Sequence, residues 1–108
     1  KLFNFLKVKG SSMVPKYNNG DYILATSLIN TKANDVVVCR IEKIGLVLKR
    51  IKYIDQFTMV LTGDNPRQDS SICGVNLNPN LIVGRVILHF PIFRLFSYLS
   101  SKNKGFNI

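Results

Sequence analysis

Short apolar runs separated by closely spaced turn signals constrain the fold of this chain more than any other feature. The run at residues 36–41 is rich in β-branched side chains, and a second apolar run at residues 46–54 returns after a turn-like stretch at residues 42–45. This pattern is typical of strands joined in hairpins. The predicted strands cover residues 2–8, 22–25, 36–41, 46–54, 57–62 and 81–90. The sequence therefore predicts a mostly β fold with little helix, in which small antiparallel sheets close on one core.

The length of the chain predicts one domain. It has 108 residues, 46% of them apolar, which is enough for one hydrophobic core but not for two independent ones. We interpret residues 1–108 as a single domain, with a core over residues 1–92 and a tail over residues 93–108. Residues 93–99 are expected to form a short helix or an interfacial segment. The polar loop at residues 63–80 is longer than a hairpin needs, so functional residues are expected there.

The net charge and the two cysteines bear on which partners and which catalytic groups can be expected. A net charge of +9 favours an acidic partner such as lipid headgroups or nucleic acid, although a solvated basic surface explains it as well. No nucleic-acid-binding motif accompanies the charge, so no nucleic-acid partner is expected. Cys39 and Cys73 imply neither a disulfide framework nor a metal site. His89 has no visible link to either thiol, so a cysteine nucleophile is not expected.

Lys49 lies between β-branched residues in a predicted strand. Side chains alternate between the two faces of a strand, so Lys49 shares a face with Val47 and Ile51. Arg50 and Lys52 share the other face and are expected to be solvated. A lysine on an apolar face either packs its stem while its ammonium reaches water, or is buried, where the neutral amine is favoured. A neutral amine can take a proton from a serine hydroxyl, which is the Ser–Lys variant of the catalytic triad.

Four motifs occur in a fixed order along the chain. They are Gly10-Ser11-Ser12-Met13-Val14-Pro15 with Gly20-Asp21, then Lys49-Arg50-Ile51, then Gly63-Asp64-Asn65-Pro66 with Asp69-Ser70 and Gly74, and then Ile82-Val83-Gly84-Arg85-Val86. In this order they resemble the serine box, the lysine box, the Gly-Asp-Asn…Asp-Ser box and the following strand of the type I signal peptidases. The resemblance spans most of residues 8–90. It implies a Ser–Lys serine peptidase with the fold that signal peptidases share with LexA-like peptidases, and no cofactor or metal.

The resemblance implies roles for the residues of the first two motifs. Ser12, which precedes Met13, corresponds to the nucleophile, with Ser11 as its rival, and Lys49 corresponds to the general base. Gly10, Ser11 and Met13 are expected to bind the oxyanion or the substrate. Gly10 stands where some members carry an additional hydroxyl, so backbone donors must supply more of the oxyanion stabilisation here.

The third motif supplies the expected supporting residues Asp64, Asn65, Asp69 and Ser70. The two aspartates are explained equally well as turn-formers and ion-pair partners. The motif departs from the family pattern, because Ser71 stands where an arginine is usual and Arg67 falls near the place of a serine that supports the lysine. Ser70 or Ser71 could take over that role.

Three branches of this fold remain open from the motifs. The preferred interpretation is an endopeptidase that removes an N-terminal leader or signal peptide from a substrate protein. The compact maturation protease of nickel superoxide dismutase resembles the chain in size. LexA-type self-cleaving regulators share the Ser-Met and Lys-Arg motifs, but they usually lack the Gly-Asp-Asn…Asp-Ser box. A non-enzymatic basic module that binds nucleic acid or anionic lipid is the alternative from another function class.

The expected partners are a preprotein with a cleavable leader and a membrane surface. Apolar residues near both ends of the core, at residues 2–6 and 90–96, are expected to touch lipid with help from the basic charge. The chain begins with Lys1 rather than Met, so a fragment or a processed form is expected, from which an upstream helix could have been removed. With such an anchor the protein is expected on the extracytoplasmic face of a membrane, and without it in the cytoplasm.

Overall fold

A computed structural model describes residues 1–68 and 70–92 of the chain. The strands are β1 (Phe3–Lys7), β2 (Tyr22–Thr26), β3 (Val36–Ile41), β4 (Gly45–Ile54), β5 (Met59–Thr62) and β6 (Ile82–Phe90). A short 3₁₀ helix, Pro79–Leu81, precedes β6. The prediction of a mostly β, antiparallel fold is confirmed, and the six predicted strands match the observed ones to within about two residues at each end. The helix or interfacial segment expected at residues 93–99 lies outside the described residues.

The six strands form one continuous sheet rather than several small ones. The strand order is β1-β2-β6-β3-β4-β5, and every neighbouring pair is antiparallel. The last strand therefore inserts between β2 and β3 and joins the two halves of the chain. No helix in the described residues is long and apolar enough to cross a membrane.

The hydrophobic residues divide into two clusters because β3 is buried on both faces. Val36 and Val38 belong to one cluster, whereas Val37 and Cys39 belong to the other. Four successive buried residues, without alternation of apolar and polar side chains, are typical of a strand that is covered on both sides. The first cluster also contains Val8, Met13, Tyr17, Ile23 and Ala25, and the second also contains Ile51, Met59, Leu61 and Ile72.

The predicted face of Lys49 is confirmed. Lys49 is paired with Val37 across β3 and β4, and Val47 and Ile51 pack in the same cluster as Val37. The residue is only 3% exposed. The alternation along β4 thus places a lysine on a face that is otherwise apolar.

The prediction that Arg50 and Lys52 are both solvated is wrong for Arg50. The Arg50 side chain is 23% exposed and forms an ion pair with Asp64, which the sequence placed fourteen residues away in a loop. Lys52 is exposed, and it lies at a β-bulge between Ile51 and Tyr53. The bulge interrupts the alternation, so the two cations do not form one solvated stripe.

His89 has a partner that the sequence did not reveal. Its Nε2 lies 2.8 Å from Oδ2 of Asp21, which is 1% exposed. Asp21 also accepts hydrogen bonds from the backbone N–H groups of Asn18 and Ile92. Burial alone would raise the pKa of Asp21, but these hydrogen bonds outweigh it and lower that pKa. The pair ties the loop that precedes β2 to the end of β6.

Candidate active site

The loop between β1 and β2 carries Ser12 and is anchored by a buried methionine. Met13 is 2% exposed and packs in the first hydrophobic cluster. Its carbonyl accepts a hydrogen bond from the N–H of Tyr17, and the carbonyl of Ser11 accepts one from Val14. Gly10 opens the loop at φ +86°, a conformation that favours glycine, and its N–H donates to Oδ1 of Asn19. Ser12 is therefore held between a glycine turn and an anchored side chain.

The loop is also held from the opposite side by Asn65. The backbone N–H of Asn65 donates to the carbonyl oxygen of Ser12 at 2.9 Å. Its side-chain Nδ2 donates to the carbonyl oxygen of Ser11, also at 2.9 Å. One residue of the segment after β5 thus fixes both serines through their backbones, which leaves their hydroxyl groups uninvolved in the attachment.

Gly63 brings Lys49 and Ser12 to the same place. A Cβ atom built on Gly63 would lie 2.9 Å from the carbonyl oxygen of Ser12 and 3.7 Å from Nζ of Lys49. Real Cβ atoms essentially never approach a backbone oxygen that closely, so only glycine fits here. Because Gly63 has no side chain, the backbone just after β5 can lie between the amine of Lys49 and the loop that carries Ser12.

Arg50 and Asp64 fix the next residue of that segment. Nε and Nη2 of Arg50 donate to the two carboxylate oxygens of Asp64, each at 2.8 Å, and Nη1 donates to the carbonyl of Asn34. The hydrogen bonds from Arg50 lower the pKa of Asp64. A bidentate pair of this kind fixes orientation as well as distance. Asp64 thus fits the ion-pair interpretation. It affects the site indirectly, because its pairing with Arg50 fixes the position of the neighbouring residues Gly63 and Asn65.

Ser12 and Lys49 line one cleft of about 510 Å³. Gly10, Met13 and Ser70 line the same cleft, whereas Ser11 and Ser71 are not among its lining residues. Most of the remaining lining is aliphatic, from Leu6, Val8, Ile23, Val38, Ile44, Leu46, Val47, Leu48 and Ile72. The cleft therefore offers a serine and a buried lysine at the edge of an apolar slot.

The two long walls of the cleft are unpaired stretches of strand. β1 stands at the edge of the sheet and pairs only with β2, and residues 6–10 form one wall. β5 pairs with β4 only from Arg50 onwards, so residues 45–49 have no strand partner on that side within the described part. Residues 46–49 form the second wall. Unpaired backbone on both sides can accept an extended peptide.

The environment of Lys49 contains no compensating carboxylate in residues 1–68 and 70–92. No salt bridge in that part of the chain involves Lys49, although it is nearly inaccessible to solvent. Burying a charged ammonium group without a partner is costly. A purely structural explanation, in which the stem packs and the ammonium reaches water, fits the 3% exposure poorly.

Two predicted site residues remain, Asp69 and Ser70, together with the cysteines. Ser70 reaches the cleft, and its Oγ lies 3.6 Å from Sγ of Cys73. Asp69 lies outside the described residues. Cys39 is buried in the second cluster, and burial raises the pKa of its thiol to about 12, which is consistent with the expectation of no cysteine nucleophile.

Sequence reasoning missed two lysines of the cleft wall. Lys7 and Lys9 both line the cleft and are both exposed. Their alternation with Leu6 and Val8 was visible in the sequence. Their position beside Ser12 depends on β1 being an edge strand, which the alternation does not reveal.

Comparison with known proteins gives one family. The family model described as Peptidase S24-like matches residues 3–87, which includes all the strands up to most of β6 and both Ser12 and Lys49. No curated protein matches the chain. The chain therefore belongs to the peptidase S24-like family, which indicates a peptidase-type or LexA-like function with serine peptidase chemistry.

Proposed function

We propose that this protein is a Ser–Lys endopeptidase that removes an N-terminal leader from a substrate protein. The observation that carries the proposal is the buried amine of Lys49, which meets the Ser12 loop across Gly63 at the edge of an apolar cleft. Burial disfavours the charged form of an amine, and an uncharged amine is a base that can activate a hydroxyl group. Most of the cleft lining is aliphatic, and among the described residues that line it there is no carboxylate to stabilise an ammonium group.

In the proposed reaction, Oγ of Ser12 attacks the scissile carbonyl carbon while Nζ of Lys49 takes the hydroxyl proton. The tetrahedral intermediate collapses, the C–N bond breaks, and the ammonium of Lys49 returns the proton to the leaving amine. A water molecule then attacks the resulting ester and gives its proton to Lys49. The C–O bond to Ser12 breaks, the hydroxyl recovers the proton, and the acid product leaves.

Backbone groups of the loop are the proposed donors to the oxyanion. The N–H of Ser12 donates no hydrogen bond to another backbone or side-chain group of the described chain. Gly10, two residues earlier, has a positive φ. In other enzymes, losing one oxyanion donor costs about 3–4 kcal/mol of transition-state stabilisation. The N–H of Ser12 would contribute a stabilisation of that order.

The substrate is proposed to lie extended between the two unpaired walls. Backbone hydrogen bonds to β1 and to the first half of β4 would hold it in register, and side chains of alternate residues would enter the aliphatic slot. This geometry selects an unstructured segment, which is what a leader ahead of a folded domain provides.

Capture of an acyl-enzyme tests the proposal. We expect the protein to cleave a subset of a randomised peptide library, and to release the best-cut sequence when it is fused as a leader to a folded reporter. Acid quenching during turnover, followed by digestion and mass spectrometry, should find the acyl group on the peptide that contains Ser12. Cleavage that leaves no such adduct, and that yields no peptidyl hydroxamate when hydroxylamine is present during turnover, would contradict the proposal, as would an absence of cleavage.

Self-cleavage of the LexA type is the second candidate, and the family match favours it. Residues 3–7 are paired in β1, and Leu6 and Lys7 belong to the cleft wall, so this strand does not itself occupy the cleft. A self-cleaving chain shortens at a rate that is independent of its concentration, whereas cleavage in trans accelerates with enzyme concentration. Intact mass measured over a dilution series distinguishes the two.

Contact with a membrane is proposed for the outer face of β1, β2 and β6. Phe5 stacks on Tyr22 at 5.3 Å between ring centroids and lies 5.9 Å from Phe90, yet Phe5 is 62% exposed. Exposed aromatic residues on a cationic protein suit an anionic lipid surface. Phe5→Ser should reduce sedimentation with anionic vesicles, and Phe57→Ser, on the exposed β4–β5 turn, is the matched control. Equal sedimentation of all three proteins would contradict the proposal.

Gly63→Ala is expected to impair the site more than the fold. The new Cβ would collide with the carbonyl oxygen of Ser12 and force the loop away from Lys49. A displacement of about 1 Å can cost about 10²-fold in rate, and we expect a loss of kcat/KM of that order. Gly74→Ala is the control, because the Cβ position of Gly74 has no neighbouring atom, so that substitution strains the backbone at a positive φ without a collision. A Gly63→Ala enzyme with the activity of Gly74→Ala would show that the close approach does not matter.

A further inference from the structure

The wall of the cleft formed by β1 carries positive charge, whereas the opposite wall is aliphatic up to Lys49. We infer that the substrate segment that pairs with β1 carries an acidic side chain opposite Lys7, with Lys9 adding to the same preference. This inference rests on the proposed function and names the class of sequence that the site selects.

The backbone register of β1 supports the inference. Val8 bonds towards the β2 side through both its N–H and its carbonyl, and the carbonyl of Leu2 accepts from Ser27 on the same side. Bonding alternates along an antiparallel pair, so the even-numbered residues face β2 and the odd-numbered residues turn their backbone groups outward. Lys7 therefore presents an N–H and a carbonyl to an incoming strand, and neither group has a partner within residues 1–68 and 70–92.

The side-chain register gives the substrate pattern. Leu6 and Val8 pack in the first hydrophobic cluster, so Lys7 points to the other face of β1. A substrate residue that pairs with Lys7 projects its side chain on the same face, within reach of the ammonium group. Its immediate neighbours project to the face of Leu6 and Val8. The expected substrate motif is an acidic residue flanked by apolar ones.

The charge of this wall is not neutralised within the described chain. Lys7 and Lys9 form no salt bridge there, and no Asp or Glu is among the described residues that line the cleft. Opposite charges that face each other across paired strands stabilise the pairing, and like charges destabilise it. An acidic side chain is thus favoured at this position and a basic one disfavoured.

The library that tests the proposed function also tests this inference. Among peptides cut by the unmodified protein, we expect Asp and Glu to exceed Lys and Arg by about five- to tenfold at one position, with apolar residues beside it. The preference should shrink in high salt, because exposed pairs are screened. The best-cut peptide, resynthesised with Glu, Gln or Lys at that position, should show the same ranking in kcat/KM.

Charge reversal identifies the residue responsible. Lys7→Glu should invert the preference between the Glu and Lys peptides, and Lys9→Glu should weaken it. Lys52→Glu changes the net charge equally but lies outside the cleft lining, so it should leave the preference unchanged. Thermal melting of each variant checks that the fold is intact.

The outcomes separate the two proposals. Cleavage with no acidic preference, or a preference that Lys52→Glu alters as much as Lys7→Glu does, would overturn this inference and leave the peptidase proposal standing. A complete absence of cleavage would contradict the peptidase proposal and the inference that depends on it.

Discussion

Replacing Lys49 with methionine is expected to reduce kcat by about 10²- to 10⁴-fold, the range that a positioned general base supplies. The side chain is 3% exposed and packed among aliphatic residues, so methionine of similar length should fit. Removing a buried polar group without an ion-pair partner should leave the melting temperature unchanged or raise it. Loss of activity in a protein that melts no earlier than the parent would separate a chemical role from a structural one.

Lys49→Arg makes the same test sharper. Arginine keeps the positive charge but stays protonated at any accessible pH, so it cannot act as a base. If Lys49 contributed only a positive charge, the arginine enzyme would retain much of its rate. Lys52→Met, on the exposed bulge of the same strand, is the control for unspecific effects of losing a lysine. Substantial cleavage by either Lys49 variant would contradict the assignment.

Ser12→Ala is expected to reduce cleavage by about 10⁴-fold or more, because the loss of a nucleophile removes the covalent route altogether. Ser11→Ala is the matched control, with an expected change of less than about tenfold. The structure involves Ser11 through its carbonyl oxygen, which alanine retains, and Ser11 does not line the cleft. Progress curves for the reporter fusion, followed over several days, give the sensitivity that this comparison requires.

The opposite ranking of the two serine variants would move the nucleophile to Ser11. Equal activity of Ser12→Ala and the parent would remove the Ser–Lys mechanism from this protein. Both variants are expected to keep the parental melting temperature, because Asn65 bonds to the backbone carbonyls of Ser11 and Ser12, which alanine retains.

The positions of the strands and the residues that share a strand face were predictable, because they depend on residues close together in the sequence. Turn residues and β-branched runs located all six strands, and alternation along β4 placed Lys49 with Val47 and Ile51. These signals are local, because the pleat of a strand fixes which residues share a face. The motif order added the candidate residues Ser12 and Lys49, and the structure brings both to one cleft.

Features that depend on strand order were not predictable from the same signals. His89 meets Asp21 because β6 lies beside β2, and nothing near either residue indicates that placement. Arg50 meets Asp64 because β5 returns along β4 and then turns at Gly63. The β-bulge after Ile51 likewise has no clear sequence signal. The expectation that Arg50 is solvated was wrong because Arg50 pairs with Asp64.

The double attachment at Asn65 makes its amide proton a natural reporter of whether the site is assembled. That proton is bonded to the carbonyl of Ser12, and Asn65 lies three residues after the end of β5, the strand that pairs with β4. Any excursion that carries the serine loop away must first release it to solvent. Its exchange with deuterium therefore measures the fraction of time for which the Ser12 loop is detached from the segment after β5, without any substrate being present.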